Sequence, residues 1–203
     1  MCGRYYMDID DKEIIKIADE AEKNIYPEYK TGEIFPSNVA PILIHDLDLE
    51  DTRPILAKWG FPKWDGKGII INARMESVHD RQMFKNLAST NRCIVPASYY
   101  FEWKNEKNFK AKYMIKNPDS VLYMAGLYSV VRHKDRQLSL FDDNDTDIYY
   151  TIITKNAHPS LNYIHSRMPL IFDKIYVDDY LRGKNIKELL ETVKDNYVSA
   201  AVK

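Results

Sequence analysis

Apolar positions follow two different periods along this chain. From residue 10 to 25, Ile14, Ile17, Ala18, Ala21 and Ile25 recur at helical spacing and make one apolar stripe. Asp10 stands at the capping position and Glu13 in the reciprocal place three residues on. Beyond this helix the pattern changes to short runs rich in Ile, Val and Tyr, broken by Pro, Gly, Asn and Asp. The runs predict strands over 38–44, 54–59, 68–72, 92–103, 111–116, 121–131, 147–154 and 168–172. Short helices are expected near 80–88 and 157–164, and helical patterns return at 175–182 and 185–194. The acidic stretch 133–147 reads as a solvated hairpin loop. Many short strands without a regular alternation of helix predict an α+β fold. We expect a single domain over 1–203, with a largely antiparallel, barrel-like sheet and a few flanking helices.

Composition narrows the function. A chain of 203 residues can bury a sizeable core. No apolar run approaches the roughly 20 residues that a membrane span needs. The N-terminus has no basic region followed by an apolar stretch, so no secretion signal is expected. The two cysteines, at positions 2 and 93, offer neither a disulfide framework nor a metal-ligand spacing. A reducing, cytoplasmic setting is therefore expected, with no metal, no cofactor and a monomeric chain. The net charge of −1 argues against a broad, sequence-independent grip on duplex DNA, while leaving room for a local basic cleft.

Four segments carry candidate chemistry. The chain opens "MCGRYY". If Met1 is removed, Cys2 bears both a free α-amine and a thiol. The amine, with a pKa of about 7.7–8.0, is roughly a tenth unprotonated at neutral pH, far more than a lysine. It can attack an aldehyde, and the adjacent thiol can close the resulting imine into a five-membered thiazolidine. Gly3 permits close backbone approach, and Arg4 sets a fixed positive fork beside the thiol. Taken alone, Cys2 reads more readily as a tail residue that happens to be a cysteine. In "INARMESV" (71–78), Asn72 and Arg74 share one strand face. The amide can donate and accept, and the guanidinium can clasp a phosphate, unless both simply end a strand in solvent. In "RCIVPASYYFEWK" (92–104), Glu102 lies between Phe101 and Trp103, where burial would raise its pKa and suit it to acid/base work. The alternative is an outward-facing strand position. Cys93 reads as a core thiol. In "TKNAHPSLNYIHSRMPLIF" (154–172), His165 is preferred as a proton shuttle over His158, which precedes a proline. A surface histidine is the plain alternative.

Together with "SNVAPIL" and "AKWGFPKW", these segments stand in the order and spacing of the SOS response-associated peptidase (SRAP) family, abasic-site processing proteins that crosslink to DNA. The resemblance runs from Cys2 to about Phe172, and the final "YVSAAVK" resembles the strand that closes such domains. It implies that Cys2 forms a thiazolidine with the ring-opened abasic deoxyribose in single-stranded DNA. It further implies that Asn72 positions the sugar or the amine, that Glu102 serves the acid/base steps, and that His165 assists ring opening. Arg4, Arg74 and Arg167 would hold phosphates. Asn38, Trp59 and Trp64 match DNA-facing or site-supporting segments, with stacking on bases open to Trp64 and a core role open to both tryptophans. Self-removal of Met1, a lyase activity and reversal of the crosslink are implied as well. One departure is Tyr99, which stands where the family commonly has glycine. Two other readings remain: a cysteine peptidase using Cys2 and His165, and a non-catalytic single-strand binding module.

Overall fold

The computed structural model describes residues 2–21, 26, 28–132, 146–191 and 196–202. Its strands are β1 (Arg4–Met7), β2 (Gly32–Ile34), β3 (Val39–Asp46), β4 (Asp51–Trp59), β5 (Phe61–Pro62), β6 (Ile69–Ile70), β7 (Asn72–Arg74) and β8 (Arg92–Ala97). They continue as β9 (Tyr99–Asn105), β10 (Lys110–Lys116), β11 (Leu122–Arg132), β12 (Thr146–Asn156), β13 (Arg167–Pro169), β14 (Ile171–Phe172) and β15 (Val198–Val202). The helices are short: α1 (Lys12–Glu20), α2 (Gln82–Lys85), α3 (Leu87–Thr90), α4 (Val177–Leu181) and α5 (Ile186–Leu190).

Five strands close a ring. β12 pairs in parallel with β4, then β4 with β3, β3 with β8, β8 with β11 and β11 back to β12, the last four pairings antiparallel. A closed ring leaves no open edge on these strands. Its wall is buried on both faces in places: every residue of β8 is buried. This is why β8 reads as a continuous apolar run and lacks alternation. A second sheet runs in the order β15-β10-β9-β1-β2. Only Ser98 separates β8 from β9, so the barrel wall turns there into the second sheet. Ser98 holds that corner by donating its N–H to Tyr6 O (2.9 Å) and accepting the Asp8 N–H on its hydroxyl (3.0 Å).

The expected barrel-like, largely antiparallel sheet is what the chain forms, and several local expectations change. The α1 cap is Asp11, whose carboxylate accepts from Glu13 N and Ile14 N. Glu13 does not reach back to complete a capping box with Asp10, because Tyr123 and Lys174 draw its carboxylate away. Ile14, Ile17, Ala18 and Ala21 are buried as the stripe requires, while Ile25 lies outside the described residues. Residues 157–164 form linked turns, His158 O accepting from Leu161 N and Asn162 N, and no helix. The run 92–103 divides at Ser98, 68–72 at Ile71 and 168–172 at Leu170. β15 pairs with β10 at the edge of the second sheet and takes no part in closing the ring. Tyr99 sits in ordinary strand backbone, since among the described non-glycine residues only Ser37 and Glu50 have positive φ. Its ring stacks on Tyr6 at 4.6 Å. Residues 133–145 of the acidic loop lie outside the described residues, and Thr146 and Asp147 begin β12.

Gly126 is a point of close backbone approach within the ring. A Cβ there would meet Thr151 O at 2.8 Å and Cys93 Sγ at 2.9 Å, and a backbone carbonyl in a closed barrel cannot step aside. Gly126→Ala is expected to cost about 1–3 kcal/mol by overpacking, read as a lowered midpoint in urea unfolding. An unchanged midpoint would show that the ring relaxes locally.

Candidate active site

The site forms where the second sheet meets the barrel. β1 pairs with β9 so that Arg4 faces Phe101, which brings the Cys2-Gly3 end of the chain beside Glu102 and Trp103. β7 pairs in parallel with β12, Asn72 opposite Ile152. The turns that follow β12 carry His165 to the same region.

Cys2 is fully buried, and its Sγ lies 3.6 Å from Arg4 O. Burial first, and then the charge of Glu102, push the Cys2 thiol up from its ordinary pKa, so the sulfur is held as a neutral thiol. Asn72 Nδ2 donates to Cys2 O at 2.9 Å, clamping the carbonyl side of that residue. Asn72 Oδ1 is buried with no hydrogen-bond partner among the described residues. A buried acceptor left unmade carries a cost, so this amide oxygen is positioned for a donor that arrives with a ligand or with a freed amine.

Glu102 faces inward and is only 3% exposed, which decides against the outward-facing alternative. Its Oε1 lies 3.8 Å from His165 Nδ1. The same Nδ1 accepts the Arg167 N–H at 2.9 Å. The shorter contact governs, so we assign neutral His165 as the Nε2–H tautomer. Glu102, His165, Gly3, Arg4, Trp103, Asn105 and Lys110 line an open cleft of about 440 Å³.

The arginines differ in their commitments. Arg4 lines the cleft and pairs with Glu33. Arg74 is exposed at the end of β7. Arg167 is spent inside the protein: Nη1 and Nη2 grip Glu76 bidentately at 2.6 and 3.0 Å, and both also donate to β12, to Asn156 Oδ1 and Thr154 O. A phosphate at Arg167 would have to compete with Glu76, and the visible service of Arg167 is to fix the turn that presents His165. Asn38 accepts the Phe35 N–H on Oδ1 (2.9 Å) and so shapes the turn carrying Phe35, whose ring lies 4.3 Å from the Arg4 guanidinium. Trp59 is fully buried, stacked on Tyr150 and donating to Ile71 O, a core residue. Trp64, at 95% exposure, projects from the β5–β6 turn. His158 caps its own turn through Ser160, and Cys93 is a buried core thiol. Glu76, Glu33 and Lys112 were not singled out from the sequence. Glu76 lies within "INARMESV", but nothing in the spacing shows its partner 91 residues away. No group of three or more His, Cys, Asp or Glu that could hold a metal occurs among the described residues.

Comparison with known proteins gives the family of the chain and its fold. The chain is 32% identical over 199 residues to abasic site processing protein YoaM of Bacillus subtilis, across 91% of this chain and 81% of that one. It is 30% identical over 200 residues to abasic site processing protein YedK of Escherichia coli, across 93% and 85%. Crystal structures of proteins from Bordetella bronchiseptica and Bacteroides thetaiotaomicron share the fold, each with a TM-score of 0.77, at 22% and 21% identity. They cover all of this chain and 100% and 92% of theirs. The family model described as SOS response associated peptidase (SRAP) matches residues 1–203, and the chain belongs to that family.

Proposed function

We propose that this chain is an abasic-site sensor that, once Met1 is removed, captures the ring-opened abasic deoxyribose of single-stranded DNA as a thiazolidine on Cys2. The observation that carries the reading is the convergence at the start of the chain: Asn72 holds the Cys2 carbonyl, Glu102 shares a cleft with the adjoining Gly3, and His165 stands against Glu102. The names of the relatives, abasic site processing proteins, support the substrate.

The chemistry balances with loss of one water. The α-amine nitrogen adds to the sugar aldehyde, and the carbinolamine loses hydroxide and a proton to give an imine. The thiol then adds across the C=N bond, sulfur to carbon, and its proton ends on nitrogen. A thiol held neutral by burial suits this order, because nitrogen reacts first and sulfur gives up its proton only as it bonds. Glu102 is the base that takes the thiol proton and returns it to nitrogen. His165, with its proton on Nε2, serves ring opening of the sugar. Asn72 Oδ1 accepts from the freed amine or from a sugar hydroxyl. Arg4 and Arg74 meet the flanking phosphates, Trp64 stacks on an unpaired base, Asn38 braces Phe35, and Arg167 holds the His165 turn. A thiolate peptidase using Cys2 and His165 is less well supported, because His165 Nδ1 is directed at Glu102 and the Arg167 N–H.

Single-stranded DNA with one abasic site, incubated with protein of verified intact mass, should give a heat-stable shifted band on a denaturing gel. The band should be absent for intact DNA, for Cys2→Ala and for protein with a bulky residue inserted before Cys2. A shifted band from the inserted variant would rule out use of the α-amine. Glu102→Gln should slow crosslinking by roughly a hundredfold while leaving DNA affinity nearly unchanged. Measured by single-turnover gel kinetics alongside a binding titration, an equal loss in affinity would make Glu102 structural.

A further inference from the structure

The cluster around Arg4 contains more than the proposed function requires. Glu33 on β2 offers a single oxygen, Oε1, to two cations: Arg4 Nη1 at 3.1 Å and Lys112 Nζ at 2.8 Å. The register puts all three on one face of the second sheet. Glu33 stands opposite Tyr6, two residues from Arg4, and Arg4 stands opposite Phe101. Lys112 stands opposite Trp103, two residues on from Phe101. Aromatic rings floor the group. The Arg4 guanidinium is 4.3 Å from the Phe35 ring and 5.1 Å from Trp103, and Lys112 Nζ is 3.7 Å from Phe101. Partial burial alone would raise the Glu33 carboxyl, but Lys112 and Arg4 outweigh it and hold the pKa below the usual carboxylate range.

An anionic oxygen shared by a guanidinium and an ammonium is the contact a phosphate oxygen would make with the same donors. The count of two cations to one carboxylate leaves the cluster positive even with Glu33 in place. Arg4 also lines the cleft that Glu102 and His165 share, so an anion replacing Glu33 on Arg4 would sit beside that cleft. We propose that Arg4 and Lys112 form one phosphate-binding site and that Glu33 is its built-in competitor, a carboxylate that a DNA phosphate displaces. The proposal rests on the reading of the chain as a single-strand DNA-binding protein. It adds Lys112 as a phosphate contact and gives Glu33 a role in lowering affinity for undamaged strands. Retention then depends on the covalent step at Cys2.

The test is fluorescence anisotropy with an intact single strand at several salt concentrations, with abasic-strand crosslinking run in parallel. Wild type, Glu33→Gln and Lys112→Ala are compared, and a thermal melt of each verifies folding. Glu33→Gln keeps the shape of a partly exposed edge-strand side chain. It should tighten Kd roughly three- to tenfold at low salt and steepen the slope of log K against log salt by about 0.7, as one more cation becomes available to the backbone. Lys112→Ala should weaken binding and remove most of that gain when combined with Glu33→Gln. Unchanged or weaker binding by folded Glu33→Gln, with wild type still binding and crosslinking, overturns this proposal alone and makes Glu33 a brace for Arg4. A wild type that neither binds nor crosslinks overturns the underlying reading as well.

Discussion

The antiparallel pairing of β1 with β9 determines where the first thiol of the chain can be. Tyr5 and Met7 are fully buried, while Arg4 and Tyr6, which alternate with them, are partly exposed. A slip of one residue would bury a guanidinium and expose two large apolar side chains, so burial itself specifies the register. The Tyr5 hydroxyl also meets the Tyr150 hydroxyl at 2.6 Å, tying β1 to the barrel strand β12. β12 in turn pairs with β7 and leads into the His165 turn. Cys2, Asn72, Glu102 and His165 thus come from distant parts of the chain but from one connected set of pairings.

Much of the barrel was legible because its strands are apolar runs bounded by breakers. What escaped notice depends on tertiary partners. Glu13 has the sequence position of a capping-box residue, yet Lys174 and Tyr123, far along the chain, compete for it and win. Helical spacing at 157–164 yields only turns, since Pro159 and Asn162 favour local bonding and the segment must reach β13 within a few residues. Among the candidate site residues, Glu102 and Asn72 could be picked out as polar groups in or at the end of an apolar run, His165 as an imidazole in the segment before a strand, and Cys2 by its place directly behind Met1. Glu33 and Lys112 sit among ordinary alternating residues, and only the sheet reveals that they share a face. The commitment of Arg167 to Glu76 is hidden for the same reason.

Charge in this protein is organised locally. The net value of −1 conceals cations that are already answered by carboxylates: Arg4 and Lys112 by Glu33, Arg167 by Glu76, Arg53 by Asp46. Pairs of this kind, partly shielded from water, contribute more to arranging side chains than to stability. They keep the guanidinium groups in fixed orientations before any ligand arrives, and they prevent the face around the cleft from acting as a diffuse positive surface.

The three tryptophans occupy three different environments: Trp59 enclosed in the barrel, Trp64 almost wholly in solvent, and Trp103 half-covered beside the Arg4 cation at the cleft. Indole emission depends on polarity and on nearby charge, so each ring is a separate optical reporter. One follows the integrity of the core, one the outer turn, and one the occupancy of the cleft. The protein thus carries an intrinsic set of probes through which folding and ligand arrival can be observed independently, without any attached dye.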